Sequence, residues 1–216
     1  MDKQRSSLIV RDQAVRDVAR LVAPRFADCD QVILFGSRAV SRHLADSDVD
    51  LLCITERVPR GATKLRRRNI TLDVVCVSTL RLQSHTWLGS ELAGHIATYG
   101  IWLQGKDDWT PKVRRSQEAI SRKAGLIESR VSALCRHWDM MSSLYHDRFS
   151  RIVRRDLQRL DHLVAGIPVP PSPILDDAWR ETPHLQDRLT SLAKPLIRNR
   201  DAMRFVGLCL RHNVRA

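Results

Sequence analysis

The stretch VILFGSRAVSRHLADSDVDLLCI, residues 32–54, decides the fold. Residues 31–35 are a short apolar, β-rich run and read as a buried strand. Gly36 and Ser37 follow at once, and SRAVSRHL has helical spacing, so the pair falls at a strand-to-helix turn with Ser37 placed to cap the helix. Residues 48–55 read as a second strand that opens on acids. Acidic residues are poor company for a core strand. In a strand, side chains at i and i+2 share a face, so Asp48 and Asp50 project together while Val49 turns into apolar packing.

Two carboxylates held side by side repel unless a cation lies between them. Oxygen donors in pairs suit Mg²⁺ or Mn²⁺. A third apolar run, ITLDVVCVS (70–78), reads as another strand with one acid, Asp73. Three converging acids are what a two-metal phosphoryl-transfer site needs. The Gly-Ser turn suits the same chemistry. Gly36 lets backbone approach a phosphate, the helix start offers N–H groups, Ser37 adds a hydroxyl, and Arg38 and Arg42 are close enough in sequence to meet a phosphate. Each element alone has a plainer reading: a solvated DxD, a simple turn, an edge-strand charge. The joint order of strand, Gly-Ser, helix, DxD strand and acid-bearing strand gives the pattern its weight.

FGSRAVSRHLADSDVDLLCI followed by LDVVCV resembles the DNA polymerase β-like nucleotidyltransferase superfamily over residues 30–80, and more loosely to about residue 105. The resemblance implies an α/β (α+β) core, a short mixed sheet flanked by helices. It implies that Gly36 and Ser37 hold the triphosphate of a nucleotide donor. It also implies that Asp48 and Asp50 bind two Mg²⁺ ions, with Mn²⁺ an alternative, and that Asp73 completes the catalytic metal site and takes the acceptor's proton. The reaction implied is transfer of a nucleoside monophosphate from an NTP to a hydroxyl, with pyrophosphate released.

Around this core the chain reads as follows. Residues 8–26 predict an amphipathic helix ended near Pro24, 56–69 a basic connector, 79–100 mostly helix and 101–105 a last short strand. KDDWTPK (106–112) is a turn-rich boundary, which divides a catalytic domain, 1–110, from an all-α bundle, 111–216. Apolar residues from Ile120 to Tyr145 alternate at gaps of four and three, a heptad seam that reads as bundle core or, alternatively, a dimer contact. A second amphipathic helix covers 147–166, and its other face carries Arg148, Arg151, Arg155 and Arg159. IPVPPSP breaks the chain before helical stretches near 174–192 and 196–213.

The net charge of +12 favours polyanionic partners, while an Arg-rich composition for solubility is the plainer account. Arg66, Arg67 and Arg68 and the arginine face point to an RNA acceptor such as a tRNA 3′ end, although few aromatics are free to stack on bases. Resemblance to the minimal enzymes of toxin–antitoxin pairs points to a partner protein instead. An aminoglycoside- or lincosamide-type antibiotic is the third acceptor class, and a cationic one would want an acidic pocket, for which Asp107, Asp108, Asp176 and Asp177 are the candidates. A catalytically inactive binding module is the reading from another class. Arg155 and His162 have the spacing of a HEPN ribonuclease motif, weighed against a plain Arg-rich helix face. Five scattered cysteines without a CxxC read as reduced and buried rather than zinc-binding, and no stretch reads as a signal peptide or membrane span, so the expected location is cytoplasmic.

Overall fold

The computed structural model describes residues 20, 26–44, 47–56, 63–67 and 70–211. The expected helix over 8–26 lies almost wholly outside them. The chain divides into two compact units, Met1–Arg114 and Arg115–Ala216.

Among the described residues, the first unit is built on a five-stranded mixed sheet: β1 (Gln31–Phe35), β2 (Val49–Ile54), β3 (Thr63–Arg67), β4 (Ile70–Val77) and β5 (Ile101–Gln104), in the order β3-β4-β2-β1-β5. β2 and β4 run parallel, and every other pair is antiparallel. β1, β2 and β4 are apolar on both faces, as central strands covered on two sides must be. One face packs Val32, Leu34, Leu51 and Val74 together. The other packs Ile33, Leu52 and Ile54 against three short helices, α2 (Thr79–Leu82), α3 (His85–Leu88) and α4 (Glu91–Tyr99). Ser78, Ser84 and Ser90 cap these helices by accepting N–H bonds from Arg81, Trp87 and Ala93, which is why residues 79–100 form three pieces instead of one helix.

Two expectations are corrected here. Part of the basic connector, Thr63–Arg67, is an edge strand paired with β4. A Lys- and Arg-bearing edge strand is polar because its free edge must resist pairing with other chains, and this hides its period. Ser37 does not cap the helix after β1. That helix, α1 (Gly36–Ala39), starts two residues earlier than a Ser37 cap would give, with Phe35 at the cap position and no side-chain capping bond.

Among the described residues, the second unit is all helical: α5 (Gln117–Cys135), α6 (Ser143–Ala165), α7 (Ser172–Glu181), α8 (Leu185–Ala193) and α9 (Arg200–Arg211). Its core joins Ile127 and Val131 of α5 to Leu157 of α6, Leu189 of α8 and Val206 of α9. The seam from Ile120 is bundle core as far as Leu134, but it does not continue as one helix to Tyr145. A 3₁₀ turn at Trp138–Met140 intervenes, and the chain restarts from Ser142 as α6. Trp138 stacks on His146 and meets Phe205 edge-on, so it serves the corner rather than the seam. The stretch expected near 174–192 is likewise two helices. Pro183 cannot continue a helical ladder, and His184 takes a left-handed φ of 57°.

Candidate active site

The site is assembled at the end of the sheet where β1 finishes and β2 and β4 begin. Phe35 pairs with Asp50 in the antiparallel β1–β2 register, and Asp50 pairs with Asp73 in the parallel β2–β4 register. Residues level with each other in adjacent strands share a face, so the two carboxylates stand next to each other. Asp48 lies just before β2, and its charge also reaches Asp50. The Asp50 carboxyl is pushed up from 3.8 to about 6, chiefly by burial, then by Asp73 and by Asp48. Its charge carries a cost in this position that a neighbouring cation relieves.

Gly36 closes the other side. Its φ is +73°, a conformation side chains resist, and a Cβ there would lie 2.2 Å from Asp50 Oδ2. Glycine is therefore required twice, once for the turn and once for the space in front of the carboxylate. Ser37 follows, half-buried. Arg38 is buried and turned back onto the acid loop, where its guanidinium donates to the carbonyls of Ser47 (2.7 Å) and Asp48 (3.3 Å). It holds the segment that carries Asp48 instead of facing open space. Arg42 is exposed, and its backbone N–H donates to Ser37 O.

Two members of the site were missed by sequence reasoning. His95, buried on α4, accepts the Gly36 N–H at Nε2 (3.3 Å) and meets the Phe35 ring edge-on. It is 59 residues from Gly36, and nothing in the local sequence ties the two together. Lys64 on β3 pairs with Asp73 and brings Nζ to 3.8 Å of its Oδ2. The alternation around Lys64 was the available signal, obscured by the arginines that follow it.

Among the described residues, no group of three His, Cys, Asp or Glu side chains stands as a ready-made metal site. The donor set nevertheless fits a divalent cation in kind. It consists of carboxylate oxygens, with negative charge gathered around a half-buried acid and a space before it that a Cβ would fill. The acids considered for an antibiotic pocket have other partners. Asp108 accepts from Gln31, Asp107 from Thr110, Asp176 from Arg155 and Asp177 from Arg180. Arg155 and His162 of the HEPN-like spacing are likewise engaged, Arg155 with Asp176 and His162 Nδ1 with the Pro168 carbonyl at 2.9 Å. Among the described residues, no helix is long and apolar enough to cross a membrane.

Residues 17–115 match the model of the nucleotidyltransferase domain family. Among solved structures, a nucleotidyltransferase-like protein from Exiguobacterium sibiricum 255-15 is similar at 18% identity and a TM-score of 0.38, over 92% of this chain and 71% of that one. No curated protein matches the chain. Strand, Gly-Ser turn and paired acids thus fall within residues 17–115, the stretch that matches the nucleotidyltransferase domain family of the polymerase β-like type.

Proposed function

We propose that the chain transfers a nucleoside monophosphate from an NTP to a hydroxyl of RNA, using Asp48, Asp50 and Asp73 to hold divalent cations. The observation that carries this reading is the level pairing of Asp50 with Asp73 in front of Gly36. Mg²⁺ bound there, or Mn²⁺ in its place, would neutralise the triphosphate, activate the attacking hydroxyl and steady the leaving pyrophosphate. Gly36, whose own N–H is held by His95, gives the backbone room to approach a phosphate, and Ser37 holds phosphate oxygens through its N–H and hydroxyl. Arg38 fixes the loop that presents Asp48. Asp73 accepts the proton of the acceptor hydroxyl. Arg42, exposed beyond the turn, adds a positive charge toward the phosphates. The net charge of +12 supports a polyanionic acceptor over a cationic drug.

The test is transfer of label from α-³²P-labelled NTPs, with Mg²⁺, into pools of RNA, protein and small molecules. Label in RNA that disappears in Asp48→Ala supports the reading. Label on a protein would move the acceptor to the toxin-like class. No label in any pool would return the chain to a binding module.

His95 adds a second expectation. Removing its acceptor in His95→Leu leaves the Gly36 N–H without its partner and loosens the phosphate turn. The KM for NTP should rise about fivefold to tenfold, with kcat changed less, and His95→Gln, which offers an oxygen near the Nε2 position, should restore most of the loss. Equal KM values for His95→Leu and wild type would remove His95 from the site.

A further inference from the structure

The second unit carries a cavity of about 420 Å³ between α5 and α6. Its walls are Arg130, Arg155 and Arg159, with one acid, Asp156, and its apolar floor is Leu134, Phe149 and Ile152. The arginines are held in place by neighbours. Arg130 donates to Asp156, Arg155 makes a two-pronged contact with Asp176, and Arg159 Nη2 donates to Ser172 Oγ at 2.9 Å. Lys123 Nζ lies 3.1 Å from Asp156. Four cations thus surround two carboxylates, and the excess is positive.

The apolar floor continues along α6 into aromatic surface. Tyr145 is 49% exposed, and its ring lies nearly parallel to that of Phe149, with centroids 6.0 Å apart. Tyr145, Phe149 and Ile152 recur at spacings of four and three and so form one stripe of the helix. Arg148 and Arg151, both exposed, are carried on the same helix. Tyr145 belongs to α6 and not to the α5 seam, so an aromatic that the sequence assigned to core is open to a ligand.

An aromatic platform leading into an arginine-walled, nucleotide-sized hollow is the chemistry of single-stranded nucleic acid binding: bases stack on the rings, and phosphates meet guanidinium groups. We infer that the Tyr145–Phe149 stripe and the Arg130/Arg155/Arg159 cavity bind a single-stranded RNA segment, one splayed base reaching the hollow. RNA is favoured over DNA because its unpaired loops and ends are where bases are free to be splayed and stacked. As the seat of the acceptor, the site rests on the transferase reading above. As a binding site, it stands alone.

The test is fluorescence anisotropy of a labelled single-stranded 12-nucleotide RNA with the full chain, without NTP or divalent cation. Tyr145→Ala should weaken binding about tenfold through lost stacking. Arg148→Ala with Arg151→Ala should flatten the slope of log K against log salt by about 1.4, two phosphate contacts' worth on a single strand. These residues are exposed, and far-ultraviolet circular dichroism checks that the helices persist. Wild-type affinity in Tyr145→Ala, or a salt slope unchanged in the double arginine variant, would overturn the site. Because the assay omits NTP and metal, a failure here leaves nucleotidyl transfer standing. RNA bound by a wild-type chain that transfers nothing would sink the transferase reading and spare the site.

Discussion

Asp50→Asn is expected to raise the unfolding temperature of the metal-free protein at pH 8 while slowing nucleotidyl transfer on the order of a thousandfold. The two effects have one cause. Asp50 is pushed up from 3.8 to about 6 by burial and by its acidic neighbours. Below about pH 4 the carboxyl is protonated in both folded and unfolded chains and carries no penalty. Between that point and about 6 the unfolded chain releases the proton while the folded chain resists, so stability falls as pH rises through this window. Above it the full cost remains. The carboxylate keeps part of its solvent contact, so the cost is discounted to about 1–2 kcal/mol, or about 3–6 °C in unfolding temperature. Asparagine has the same shape without the charge and escapes the penalty. It also loses the anion that holds the cation, and several kcal/mol of transition-state stabilisation with it. Thermal melts of both proteins at pH 4 and pH 8 check the account: the curves should lie close together at pH 4 and separate at pH 8.

Asp156→Ala should destabilise the helical unit by about 3–5 kcal/mol. Asp156 is buried, with Lys123 Nζ 3.1 Å away, Arg130 donating to it, and Arg159 at 3.8 Å. Lys123 is itself only 8% exposed, so losing the carboxylate strands a cation that water reaches poorly. The double variant Lys123→Met with Asp156→Leu removes both charges and should recover much of the loss, because a buried ion pair is costly to break and cheap to replace as a whole. Chemical denaturation followed by circular dichroism at 222 nm measures both. A single variant as stable as wild type would mean that the pair is solvated and the network contributes little.

Much of the catalytic half was legible from period and punctuation. β1, β2, β4 and β5 fall within a residue of the apolar runs that announced them, since central strands are continuous in sequence. The three acids stood out because charge is conspicuous in such runs. That they converge was expected from their joint pattern, but the pairing that sets Asp73 level with Asp50 was not legible. It depends on β2 and β4 lying side by side in parallel register, a pairing between separated segments that no local spacing encodes. His95 is hidden for the same reason, a helical histidine whose partner is a backbone N–H on a distant turn. Lys64 was masked by the arginine run, because a polar edge strand and a basic loop look alike. In the helical half, the seam carried across a corner because Trp138 and Tyr145 keep heptad spacing while belonging to different elements. The restart at Ser142 was the missed signal, serine being a preferred residue at helix starts.

The central claim is that the Asp50–Asp73 pair is an unfinished cation site. The direct measurement is the unfolding temperature at pH 8 as Mg²⁺ is added with a non-hydrolysable NTP analogue, for wild type and Asp50→Asn side by side. The account predicts that wild type rises steadily past the variant while the variant barely moves. Equal rises in both proteins, or none in wild type at millimolar Mg²⁺ and analogue, would contradict it.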